Sequence, residues 1–102
     1  MYKLVVFIPK SHFEQVKAAV CNAGAGRSGN YDHCTFSSEG IGTFRPLKGA
    51  RPFIGKINKI SKVKEVRLEV LVEDKALKNV IRALRSSHPY EEPAFDIYKL
   101  AG

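Results

Sequence analysis

The chain has 102 residues, 44% hydrophobic and 26% charged, which suits a single folded domain with one modest core and excludes a disordered polyelectrolyte. No apolar run approaches the ~20 residues of a membrane span, and the apolar start Tyr2–Ile8 is broken by Pro9 too soon for a signal peptide. A soluble, cytoplasmic protein with no membrane partner is therefore expected. The formal charge of +7 favours anionic partners without choosing among phosphates, nucleotides, nucleic acid and acidic protein surfaces.

Residues 2–8 read as a first strand, with Leu4, Val6 and Ile8 on one face and Lys3, Val5 and Phe7 on the other. Both faces are largely apolar, which predicts an interior strand. Ser11 with Glu14 three residues later predicts a capping box. The helix it opens carries a stripe of Phe13, Val16, Ala19, Val20 and Ala23, and Gly24 stops it. The next stretch, residues 24–30, is glycine-rich around Arg27. Amides freed by glycine can cradle an anion, with Arg27 to pair with it; a plain flexible loop is the alternative. Neither the P-loop Lys-Ser/Thr nor the dinucleotide fingerprint is there.

Tyr31 to about Glu39 reads as a second strand, and Gly40-Ile41-Gly42 predicts a bulge or bend after it. From residue 45 to 62 the periodicity fails. Arg45, Lys48, Arg51, Lys56, Lys59 and Lys62 decorate this stretch without one acidic residue, which points to a solvated excursion or an anion-binding one. Val66, Leu68, Val70 and Val72 then alternate with charged residues as a third strand. Asp74 is placed to cap a second helix that buries Leu77, Val80, Ile81 and Leu84. In His88–Asp96 two prolines stiffen a connector rich in acids and aromatics, before a last strand over residues 94–100.

The order strand, helix, strand, strand, helix, strand predicts an α+β, ferredoxin-like fold: a four-stranded antiparallel sheet with two helices on one face. A single helix layer leaves Val5 and Phe7 uncovered on the other face, so self-association is expected.

Three motifs, HPYEEPAFDIYKL at 88–100, GNYDHCTFSSEGIGTF at 29–44 and RPLKGARPFIG at 45–55, together resemble the PII/CutA-like domain of the Nif-three-like (YqfO-type) family. The resemblance spans about Tyr2 to Leu100. It implies a stand-alone PII/CutA-like domain that assembles as a trimer, with residues 45–62 in the place of the long loop through which PII proteins engage partners. Larger members of the family bind two metal ions with residues of flanking halves, and neither half is in this chain. Those ligands have no counterpart here.

The favoured reading is an oligomeric ligand-binding or regulatory module with no catalytic activity of its own. Its ligand, an anionic small molecule or an acidic protein partner, would meet Arg27, Tyr31, Arg51, Lys56, His88, Tyr90, Glu91 and Glu92 in clefts between subunits. A CutA-like metal protein is the alternative. His33, Cys34, His88 and Glu91 are donors suited to Zn or Cu, with Glu92 and Asp96 nearby in the chain. If the last strand lies beside the first and the second near the third, those donors need not meet within one chain and can approach across a subunit boundary. A small hydrolase with Cys34 and His88 as nucleophile and base ranks below both. Otherwise the two cysteines, Cys21 and Cys34, read as structural thiols. Nucleic acid ranks low as a partner because Phe53 alone interleaves the basic stretch.

Overall fold

The computed structural model describes residues 1–102. It contains β1 (Tyr2–Pro9), α1 (Phe13–Asn22), β2 (Thr35–Phe44), β3 (Ser61–Val72), α2 (Leu77–Ser87) and β4 (Phe95–Lys99). The strands run β2-β3-β1-β4 across one sheet, and every neighbouring pair is antiparallel. This is the ferredoxin-like order expected from the chain. No helix is long and apolar enough to cross a membrane.

Alternation in β1 decides where the core lies. Leu4, Val6 and Ile8 are all 1% exposed or less and meet Val70, Leu68 and Val66 of β3 in register. The helices close this face with Val16 and Val20 of α1 and Val80 and Leu84 of α2, while Phe95 and Ile97 of β4 pack at the margin. Each such side chain contributes roughly 1.5–3 kcal/mol by leaving water. Cys21 is buried among them, so its thiol is raised above its ordinary pKa, chiefly by burial.

The other sheet face is better covered than the alternation predicts. Val5 is only 2% exposed. It lies directly opposite Glu69, whose carboxylate is approached by Lys3 at 3.6 Å and by Arg67 at 3.2 Å. Arg67 also lies over the Phe7 ring at 5.8 Å from its centroid. Long charged side chains thus roof the apolar strip with their stems.

Both helix starts depart from expectation. Lys10–His12 and Asp74–Ala76 each form a tight 3-10 turn first, so the α-helices begin later and neither has a side-chain cap. Ser11 Oγ bonds His12 Nδ1 at 2.8 Å instead of closing a capping box. The Asp74 carboxylate pairs with the Met1 ammonium, which holds its pKa below the ordinary value. Gly24 does end α1 with a left-handed φ of 120°.

The boundaries of β2 and β3 are the larger correction. β2 starts at Thr35, after Cys34, and runs without a bulge through Gly40-Ile41-Gly42 to Phe44. β3 starts at Ser61, so Lys62 is a strand residue and the irregular stretch is shorter than the charge pattern implies. Pro9 of β1 pairs with Glu65. Beyond that row, Ile41–Phe44 and Ser61–Lys64 form a two-stranded ribbon extending past the rest of the sheet.

Candidate ligand site

The connector after α2 is built around His88. Pro89 biases the preceding residue away from helical backbone, and His88 is extended, with φ −73° and ψ 134°. Its own amide still caps the helix by donating to Leu84 O at 2.9 Å. The imidazole turns inward and is 6% exposed. Nδ1 accepts the Tyr90 amide at 3.1 Å, so the ring proton sits on Nε2 and is donated to Phe7 O at 2.8 Å. Burial pushes the His88 pKa below its ordinary value, and the neutral ring is a two-ended clamp between β1 and the connector.

That clamp aims Tyr90. Its ring lies 5.0 Å from His88 and edge-on to Phe44 at 5.7 Å. Its hydroxyl donates to Glu65 Oε2 at 3.1 Å. Burial and the neighbouring Glu65 carboxylate hold the phenol well above its ordinary pKa, so it remains a donor. Glu65 reaches this position because Gly42 of β2 places no side chain beside it. A Cβ at Gly42 would collide with the Glu65 carboxylate. Substituting Gly42 by alanine is therefore expected to displace Glu65 and lower the Tyr90 pKa toward 10.0, read by ring NMR of labelled tyrosine across pH. An unchanged Tyr90 titration would contradict this arrangement.

The irregular segment, residues 45–60, folds against the connector instead of standing off from the domain. The Arg51 amide donates to Glu91 Oε1 at 2.9 Å. Phe53 packs edge-on to His12 at 5.2 Å, and the Asn58 amide returns to Pro46 O at 2.7 Å. Between segment and connector lies a cleft of about 280 Å³. Phe44, Pro46, Pro52 and Phe53 give it apolar walls, while Glu65, Glu91, Glu92, Tyr90 and Arg45 provide its polar groups. Three carboxylates against one guanidinium make it a poor cradle for an anion and a better one for a ligand that offers hydrogen-bond donors.

The residues singled out in the sequence thus divide. Tyr90, Glu91 and Glu92 line this cleft; Arg51 closes it through its backbone, and Lys56 is exposed outside it. Arg27 and Tyr31 line a different, open hollow of about 540 Å³ with Ser28, Gly29, Glu73 and Lys75. His33 and Cys34 are exposed in the turn before β2: His33 sits 3.2 Å from Asp32, and the Cys34 amide donates to Gly26 O. Thr35 is in register with Val70, five residues along β3 from Glu65, which is roughly 16 Å at about 3.3 Å per residue. Within one chain no three His, Cys, Asp or Glu side chains converge as a metal site. Cys34 and His88 likewise belong to different parts of the molecule, and both His88 nitrogens are engaged.

Glu65 was not singled out from the sequence, and Arg45 was named only as one of six cations of the basic stretch. Glu65 alternates with Arg67 and Glu69 as any solvated strand face does, and the available signal was the paired glycines opposite it, which read as a bulge.

No protein-family model matches the chain. Curated proteins do. A Bacillus subtilis protein named GTP cyclohydrolase 1 type 2 homolog is 57% identical over 96 residues, covering 94% of this chain and 26% of the relative. A Mycobacterium tuberculosis protein of the same name is 46% identical over 98 residues, 96% of this chain and 26% of the relative. Among solved structures, a Bacillus cereus protein related to NIF3 superposes with a TM-score of 0.84 at 46% identity, covering 99% of this chain and 26% of that one. The chain belongs to the Nif-three-like family. It spans about a quarter of the length of the curated relatives it matches. The PII-like protein CutA from Nostoc shares the fold of this Nif-three-like chain, with a TM-score of 0.69 at 18% identity over 98% of this chain and 81% of that one.

Proposed function

We propose that this Nif-three-like chain is a non-catalytic, trimeric binding module whose ligand occupies the cleft between residues 45–60 and the 88–94 connector. The observation that carries the reading is that the connector is tied around one cavity to residues 45–60 on one side, by Arg51 to Glu91, and to β3 on the other, by Tyr90 to Glu65. A site whose walls are already ordered loses less entropy on binding. The ligand is a small molecule presenting hydrogen-bond donors beside an apolar surface, because carboxylates outnumber cations in the lining. Self-association is supported by β2, an edge strand that is exposed along almost its whole length and carries Phe36 and Ile41 at 67% and 72% exposure.

Native mass spectrometry of protein purified without chelator or affinity metal tests both parts together. The expected result is a trimer that retains a small organic mass, with the mass lost in Glu65→Gln and Glu92→Gln variants. A bare monomer contradicts the reading. The same spectrum addresses Zn or Cu bound between subunits: a stoichiometric metal lost on replacing His33 and Cys34 would favour that alternative over the cleft.

A further inference from the structure

The cleft holds negative charge that nothing inside it balances. Glu65, Glu91 and Glu92 line it against a single guanidinium, Arg45, in a chain whose formal charge is +7. Arg45 forms an ion pair with none of the three, and the Arg51 side chain forms none either. The hydrogen bonds that Glu65 and Glu91 accept come from neutral donors, the Tyr90 hydroxyl and the Arg51 amide. Glu92 accepts no hydrogen bond at all. No lysine lines the cleft, so most of the chain's positive charge acts on it from outside, screened by physiological salt with a Debye length of about 8 Å.

Like charges in a partly dehydrated cleft repel one another and attract a cation at short range. A bare metal ion is the wrong cation, because these carboxylates do not converge as a metal-binding group. Spread over separate walls, they suit a larger cation with N–H groups on several sides. Carboxylates pair with guanidinium and amidinium groups through two parallel N–H bonds, a geometry that a point-like ammonium does not offer. Phe44, Phe53 and Tyr90 add aromatic rings to the lining, and such rings attract organic cations while burying their carbon skeleton. At about 280 Å³ the cleft lies near the lower end of ligand pockets, roughly 300–1,000 Å³, so its occupant is small. We propose that the cleft selects a small planar organic cation, a guanidinium or amidinium carried on an apolar body. The inference rests on the cleft reading above and adds the sign and shape of the charge.

Phenylguanidine and phenylurea are the probes, titrated against the full chain at neutral pH and followed by NMR through the Arg51 and Tyr90 amide signals. The two share size, shape and N–H donors and differ in charge. Phenylguanidine is expected to bind about tenfold more tightly, roughly what a charge-assisted hydrogen bond adds over a neutral one. Glu92→Gln should weaken phenylguanidine by about tenfold and change phenylurea by less than about twofold. Arg45→Gln should instead tighten phenylguanidine, because it removes the one cation in the lining. Both positions are exposed, so circular dichroism should show the wild-type fold in each variant. Equal affinity for the two probes overturns the proposal and leaves the cleft as a site for neutral donors. A phenylguanidine affinity unchanged in both variants also overturns it, by placing the cation elsewhere. Shifts at neither amide with either probe overturn the proposal and the cleft reading together.

Discussion

Replacing His88 by alanine is expected to destabilise the domain by about 3 kcal/mol, because it removes two part-buried hydrogen bonds and leaves a void where the buried imidazole sat. The Phe7 carbonyl would lose its donor and the Tyr90 amide its acceptor. Neither group regains water easily while the connector stays packed, so the desolvation cost remains after the partner is gone. Urea denaturation of the two proteins checks the magnitude; a loss below ~1 kcal/mol would show that the imidazole is not the clamp described. The same residue shapes the acid side of the stability profile. The folded His88 pKa is depressed from 6.5, so the unfolded chain binds the proton more readily. Its contribution is therefore complete above pH 6.5 and fades as pH falls from there through the folded value. The wild type should lose stability over that interval, and the His88→Ala protein should lose less. Parallel profiles for the two would contradict the buried neutral assignment.

Leu68→Ala is expected to cost about 3–4 kcal/mol, the largest effect of any single truncation in the sheet. Leu68 is 0% exposed and pairs with Val6 on the central strand pair, under both helices. A cavity there cannot collapse, since β1 and β3 are fixed by eight consecutive paired rows. By contrast, Phe36→Ala on β2 should change monomer stability by less than ~0.5 kcal/mol, because its side chain is already 67% exposed. Thermal or urea unfolding of the pair of variants separates the two expectations. A Leu68→Ala protein as stable as wild type would place the core elsewhere.

Most of the fold was legible because it rests on period. Leu4, Val6 and Ile8, then Val66, Leu68, Val70 and Val72, alternate too cleanly for anything but strands facing one core. The helix ends were not, since Ser11-x-x-Glu14 and Asp74 satisfy capping patterns that a preceding 3-10 turn displaces by one or two residues. Gly42 shows a different limit. Glycine in a strand permits either a bulge or a neighbour's close approach, and only the folded chain shows that the Glu65 carboxylate occupies the space beside it.

The candidate site was half legible. The connector's prolines and acids announced Tyr90, Glu91 and Glu92, but the long segment's charges suggested an anion site that its backbone does not build. Arg51 takes part through its amide, a group invisible in any reading of side-chain types. The electrostatics consequently separate into acids facing the cleft and bases facing solvent, a division that the net charge of +7 conceals.

Amide hydrogen exchange, resolved by NMR, tests the central claim most directly: that residues 45–60 form a fixed wall of the cleft. The Arg51 and Tyr90 amides, held by Glu91 and His88, are expected to exchange far more slowly than exposed loop amides. Protection at Arg51 should vanish in Glu91→Ala, and protection at Tyr90 in His88→Ala. An Arg51 amide that exchanges in the wild type as fast as an unstructured peptide would mean that the segment stands free, and that no preformed cleft exists.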